Sequence, residues 1–99
     1  MVLLNSTIDP VVTISKRHDM TLESIFAIPT KSNIVWKDIE SLLLALGAEL
    51  TEGNGSRVRI ALNGVRAVFH RPHPRKESDK GAIVSMRKFL MTAGVVENV

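Results

Sequence analysis

His70 and His73 are the two histidines of this 99-residue chain whose setting suits proton transfer. They stand three residues apart in FHRPHPRK, one closing an alternating apolar segment and the other flanked by prolines. An imidazole titrates near neutral pH, so it can take a proton or give one back. Close by in sequence are Arg57, Arg59 and Arg66, whose planar forks match pairs of phosphate oxygens. Cleavage of RNA without a metal needs that combination. A base removes the 2′-hydroxyl proton, cations hold the charge that builds on phosphorus, and an acid protonates the leaving oxygen. The alternative is structural: both histidines then close a strand and order a Pro-bounded loop. His18, far toward the N-terminus, is read as outside this chemistry.

Other chemistries find less support. The chain has no cysteine, which removes disulfides and thiolate metal sites and fits a reducing, cytoplasmic compartment. His70 and His73 lack further ligands at useful spacing, and Glu77 and Asp79 fall in a loop, so no metal site and no cofactor are expected. Asp38 and Glu40 point in different directions on a helix and read as dipole and solvent residues, not as an acid–base pair.

The charge distribution favours a polyanionic partner. Residues 57–90 hold nine basic residues against two acidic ones, a net +7, whereas residues 1–56 hold four against seven, a net −3. The candidate RNA-binding set is Arg57, Arg59, Arg66, Arg71, Arg75, Lys76 and Lys80. Lys80 and Gly81 open the last helix, where free N–H groups and lysines suit a phosphate. A solvated basic surface is the competing reading.

The elements that must position these residues follow from the pattern. Length argues for one domain, and apolar residues at 44% argue for a folded one. With only four aromatic residues, Phe26, Trp36, Phe69 and Phe89, the core is mostly aliphatic. No apolar run approaches the roughly 18 residues of a membrane span, and the start MVLLNSTIDP meets Asp9 and Pro10 too soon for a secretory segment. Residues 1–19 show no period and read as an N-terminal arm that can be flexible. Residues 20–96 read as the domain, with Met20 a possible second start and TLESIFAIP a short helical turn ended by Pro29. Residues 34–46 form the best helix, capped by Asn33 or Ser32, with Val35, Ile39, Leu42, Leu43 and Leu46 on one face and Lys37, Glu40 and Ser41 on the other. Trp36 reads as core.

Three strands are predicted next, at 48–52, 56–62 and 65–70. In the second, Val58, Ile60 and Leu62 alternate with Arg57, Arg59 and Ala61. Asn63-Gly64 is a two-residue hairpin turn, since both residues tolerate positive φ. In the third, Val65, Ala67 and Phe69 face the core, leaving Arg66, Val68 and His70 outward. RPHPRKESDKG is a loop, and a helix runs from Asp79 or Lys80 to Ala93, with Gly94 as its stop. The expected fold is α+β, ordered α-β-β-β-α, with both helices on one face of a three-stranded antiparallel sheet. Its core is expected to include Ile39, Leu43, Leu46, Val58, Ile60, Phe69, Met86 and Leu90.

The segment GSRVRIALNGVRAVFHRPHPRKESDKGAIVSMRKFLMTAGV, preceded by IVWKDIESLLLALGAEL, resembles the HicA toxin family over about residues 21–96. The likeness lies in a Gly-Ser pair entering the second strand (Gly55-Ser56), a Pro-flanked histidine loop after the third, and Lys80-Gly81 opening a basic helix. The resemblance implies a fold like double-stranded-RNA-binding domains and a bacterial messenger-RNA endoribonuclease, held inactive by a HicB-type antitoxin. It also implies a histidine directly after Gly-Ser as the nucleophile-activating residue. Here Arg57 occupies that position, so the fold carries over while activity does not follow automatically. Three readings result. One is an RNA-cleaving toxin whose working histidine is His70, with His73 as its partner. Another is a catalytically degenerate RNA-binding module. The third is a domain whose basic face meets only an acidic antitoxin.

Overall fold

The computed structural model describes residues 2–4, 11–12 and 14–97. Its elements run β1 (Val2–Leu4), β2 (Val11–Val12), α1 (Lys16–Phe26), α2 (Trp36–Ala45), β3 (Glu49–Glu52), β4 (Arg57–Leu62), β5 (Val65–His70), α3 (Lys80–Thr92) and β6 (Val95–Glu97). From α2 to α3 this is the expected α-β-β-β-α order, an α+β domain with an antiparallel sheet ordered β3-β4-β5.

The hairpin at its centre follows from local sequence. Asn63 and Gly64 have φ of 51° and 80°, the positive values of a turn whose twist matches the strands it joins. A two-residue turn fixes the register, so Leu62 pairs with Val65, Ile60 with Ala67, Val58 with Phe69 and Arg57 with His70. Cross-strand partners share a face. Val58, Ile60, Leu62 and Phe69 are buried, while Arg57, Arg59, Arg66, Val68 and His70 face outward. Gly53 is required where β3 turns into β4, because a Cβ there would lie 2.9 Å from that of Arg57.

The core is one cluster filled from α1, α2, the sheet and α3. All eight expected core residues are in it, each at most 7% exposed. Trp36 is buried too, 6.0 Å from Phe69, which meets Phe89 edge-on at 6.1 Å. These three rings join α2, β5 and α3. The side chain of Asp79 caps α3 by accepting from the Ala82 N–H at 2.7 Å, and Asn63 Nδ2 donates to the Ala93 carbonyl at 2.8 Å, tying the hairpin turn to the helix end.

Several features depart from the pattern-based expectations. Helix α1 begins at Lys16, not near Met20, because Ser15 caps it by accepting from the His18 N–H at 3.2 Å. Four residues of the expected arm are thus helical, and Leu22 and Ile25 of α1 are fully buried. Further along the same arm, β1 pairs antiparallel with both β2 and β6, forming a second small sheet. Residues 1, 5–10 and 13 of that arm lie outside the described residues. Neither Asn33 nor Ser32 caps α2. Val35 is the N-cap, without a side-chain bond, and the Trp36 N–H donates to the Lys76 carbonyl at 3.0 Å while the Ser78 N–H donates to that of Ile34 at 2.9 Å. The loop after β5 therefore replaces the side-chain cap with backbone.

The face of α2 expected to meet solvent is instead partly covered. His18 Nε2 lies 2.8 Å from Ser41 Oγ, and Arg17 pairs with Asp38 at 3.1 Å. His18 thus fastens α1 to α2, a structural part that a sequence-local reading does not disclose.

Candidate nucleic-acid interface

β4 and β5 project Arg57, Arg59, Arg66 and His70 from one open sheet face. Alternation puts the guanidinium groups there, and the Asn63-Gly64 turn sets which of them stand opposite each other. His70 is the direct cross-strand partner of Arg57, the residue after Gly55-Ser56. His70 Nδ1 also lies 3.4 Å from Ser56 Oγ, longer than an ordinary hydrogen bond. Arg57 and Arg66 form no hydrogen bond or ion pair among the described residues, and Arg59 gives one N–H to the Glu52 carbonyl at 3.1 Å. Three exposed cations with free donors therefore share the open face with one exposed imidazole, Arg57 directly opposite it and Arg66 toward the other end of the hairpin.

Arg71 differs from this group. Its Nε donates to Glu40 Oε2 at 2.7 Å, and its two terminal nitrogens donate to both Glu52 oxygens at 2.6 and 2.7 Å. Glu40 Oε2 also accepts from the Trp36 indole N–H. This network joins α2, β3 and the end of β5. It corrects two expectations: Glu40 is an internal acceptor rather than a solvent residue, and the Arg71 fork is occupied by carboxylates rather than free for phosphate. The two carboxylates hold the Arg71 guanidinium firmly charged, its pKa raised above the ordinary value first through the hydrogen bonds it donates to Glu52 and then through the one it donates to Glu40.

The remaining candidates lie elsewhere. His73, Arg75 and Lys76 are exposed in the loop between β5 and α3, where the His73–Pro74 bond is cis. Arg75 and Lys76 line a groove with Trp36, Lys37, Pro72 and Pro74, apart from the hairpin's open face. Lys80 is exposed at the first residue of α3. Among the described residues, no three of His, Asp and Glu gather closely enough to hold a metal ion, and no helix is long and apolar enough to cross a membrane.

Two expected outcomes test the network. Glu40→Ala leaves the buried indole N–H and one Arg71 N–H without an acceptor. Unsatisfied donors cost about 1–3 kcal/mol, and urea unfolding should show a loss of that size. Glu52 gives the second. Its carboxyl is held below its ordinary value, chiefly by the hydrogen bond from Arg71. A depressed carboxylate adds stability above its unfolded pKa and loses it as pH falls through the folded one. The difference in Tm between the wild type and Glu52→Gln should accordingly shrink from about pH 6 to about pH 3, and it should be small throughout because the pair is exposed. A constant difference would show that the pairing carries no weight.

A helix, a three-stranded antiparallel sheet and a second helix, with a basic hairpin face, define a small α+β domain. Residues 36–95 match the family described as the HicA toxin of bacterial toxin–antitoxin systems, and the chain belongs to that family. The match begins at Trp36, the first residue of α2, so α1, β1 and β2 precede it. Membership makes this a toxin of the kind that is paired with an antitoxin. No curated protein and no solved structure matches the chain.

Proposed function

We propose that the open face of the β4–β5 hairpin binds messenger RNA and cleaves it without a metal, with His70 as the proton-transfer group and a HicB-type antitoxin as the restraint. The observation that carries this reading is the pairing of His70 with Arg57, beside Ser56. It sets an imidazole across the hairpin from the position after Gly-Ser, where the family's histidine is expected.

The chemistry follows from the groups present. With Nδ1–H donating to Ser56 Oγ, Nε2 is left as the base. It takes the proton of a ribose 2′-hydroxyl as that oxygen attacks the adjacent phosphorus. Arg57, Arg59 and Arg66 stabilise the charge on the phosphoryl oxygens. The bond to the 5′-oxygen breaks, and that oxygen takes a proton from an imidazolium, the role proposed for His73, which the loop after β5 would have to carry to the hairpin face. The products are a 2′,3′-cyclic phosphate and a 5′-hydroxyl, with the 2′-hydroxyl proton left on His70 and water restoring both imidazoles. Lys80, at the start of α3, adds a further cation for flanking phosphates, and Arg75 and Lys76, in their separate groove, would meet a longer RNA only beyond the hairpin.

One observation favours a second reading. An arginine stands directly after Gly55-Ser56, and a guanidinium cannot act as a base near neutral pH. A module that kept the basic face and lost cleavage would look the same at that position. The deciding experiment incubates the purified chain, free of any partner, with labelled messenger RNA and a chelator. Fragments ending in 2′,3′-cyclic phosphate support the ribonuclease. Intact RNA that is nevertheless bound supports the degenerate module.

A further inference from the structure

Among the described residues the outer edge of β5 is unpaired. In the order β3-β4-β5 it is a terminal strand, six residues long and in unbroken register with β4. Antiparallel pairs alternate between exchanging backbone hydrogen bonds and turning them away. The Arg71 N–H donates to the Ser56 carbonyl at 2.8 Å, which fixes the phase. Val65, Ala67 and Phe69 bond to β4, and the N–H and C=O groups of Arg66, Val68 and His70 point outward. Natural sheets protect such edges with proline, bulges, charged side chains or very short strands, and of these β5 has only the charge of Arg66. β3, the other edge, is only four residues long and carries Glu49 and Glu52.

The edge also borders a groove. About 570 Å³ of open space lies between β5 and α3, walled on the helix side by Ala82, Ser85, Phe89 and Thr92. These residues are small, apart from Phe89. Arg66, His70 and Lys88 line the same groove against one carboxylate, Asp79, which is already engaged in capping α3. Val68, between Arg66 and His70, is 56% exposed.

We propose that β5 is a docking edge for an acidic, extended segment of the partner antitoxin, which adds to the sheet as a fourth strand. Strand addition supplies main-chain hydrogen bonds for affinity and alternate side-chain positions for specificity. Residues of the incoming strand opposite Arg66 and His70 share their open face and are acidic. The residues between point toward Ala82, Ser85 and Phe89 and are small or β-branched apolar. The pattern that fits is acidic–apolar–any–apolar–acidic. A second copy of this chain fits poorly, because two β5 edges paired antiparallel about Val68 set Arg66 against His70. Docking itself does not depend on the ribonuclease reading. Its consequence does: carboxylates over Arg66 and His70 would close the face assigned above to RNA.

The test uses the full chain, labelled with nitrogen-15, and the capped heptapeptide Thr-Glu-Val-Thr-Val-Glu-Thr; it needs no RNA. Saturating peptide should slow hydrogen exchange at the Arg66, Val68 and His70 amides by about tenfold or more, leaving the already bonded Ala67 and Phe69 amides little changed. Val68→Pro removes one outward N–H without touching the β4 ladder and should abolish that protection. Should this variant fail to fold, Arg66→Glu serves instead: it should lose the peptide and regain binding to the version with lysine in place of glutamate. Protection elsewhere on the chain, equal binding by Arg66→Glu, or no binding at millimolar peptide would each overturn the proposal. Failed cleavage in the chelator assay with positive peptide protection would reject the ribonuclease and keep the docking edge.

Discussion

His70→Ala is expected to slow RNA cleavage by about 10²–10⁴-fold, the usual contribution of a positioned acid or base. The side chain is exposed on the open sheet face, and apart from the 3.4 Å approach to Ser56 Oγ it has no hydrogen-bond partner among the described residues. Its removal therefore leaves the β4–β5 ladder and the core intact, and unfolding curves should coincide with the wild type. His18→Ala is the matched control. It gives up the contacts to Ser15 and Ser41, so it should lower stability by about 0.5–1.5 kcal/mol without slowing cleavage. The comparison separates chemistry from folding, because only one of the two histidines lies on the hairpin face. Full activity in purified His70→Ala would reject its assignment.

Replacing Arg57, Arg59 and Arg66 together is the second large effect. Each single-strand phosphate neutralised adds about 0.7 to the slope of log affinity against log salt. Three such contacts make up about two units of slope, so between about 50 and about 200 mM salt the wild type should lose roughly twentyfold more affinity than the triple variant. Fluorescence anisotropy with a labelled RNA oligonucleotide at several salt concentrations gives both slopes. Arg71 should not be added to the set. Its substitution breaks the bonds to Glu40 and Glu52 and would mix a folding defect into the binding result. An unchanged slope in the triple variant would move the RNA surface to Arg75, Lys76 and Lys80.

The parts of this architecture legible in sequence are those with short-range causes. A two-residue Asn-Gly turn dictates register, and register dictates that Arg57, Arg59, Arg66 and His70 share a face. Asp79 and Gly94 bracket α3 through local hydrogen bonding and a positive φ of 83° at Gly94. What was not legible depends on residues far apart in the chain. Arg71 meets Glu40 and Glu52, respectively 31 and 19 positions away, and in sequence all three are ordinary surface charges. The pairing of Val2–Leu4 with Val95–Glu97 joins the two ends of the chain through three-residue strands, too short to show a period. The Ser15 cap was hidden because Lys16, Arg17 and His18 begin α1 without an apolar stripe. In sequence Ser56 is half of a Gly-Ser pair, and its approach to His70 emerges only when β4 and β5 align.

The most direct test of the hairpin face reads the three imidazoles of the full chain by nitrogen-15 NMR during titration with a 2′-O-methylated RNA octamer, which binds but lacks the nucleophile. The account predicts that the His70 ring resonances shift in step with RNA occupancy and that those of His18 stay in place. RNA that saturates the protein while the His70 ring remains unmoved would contradict it.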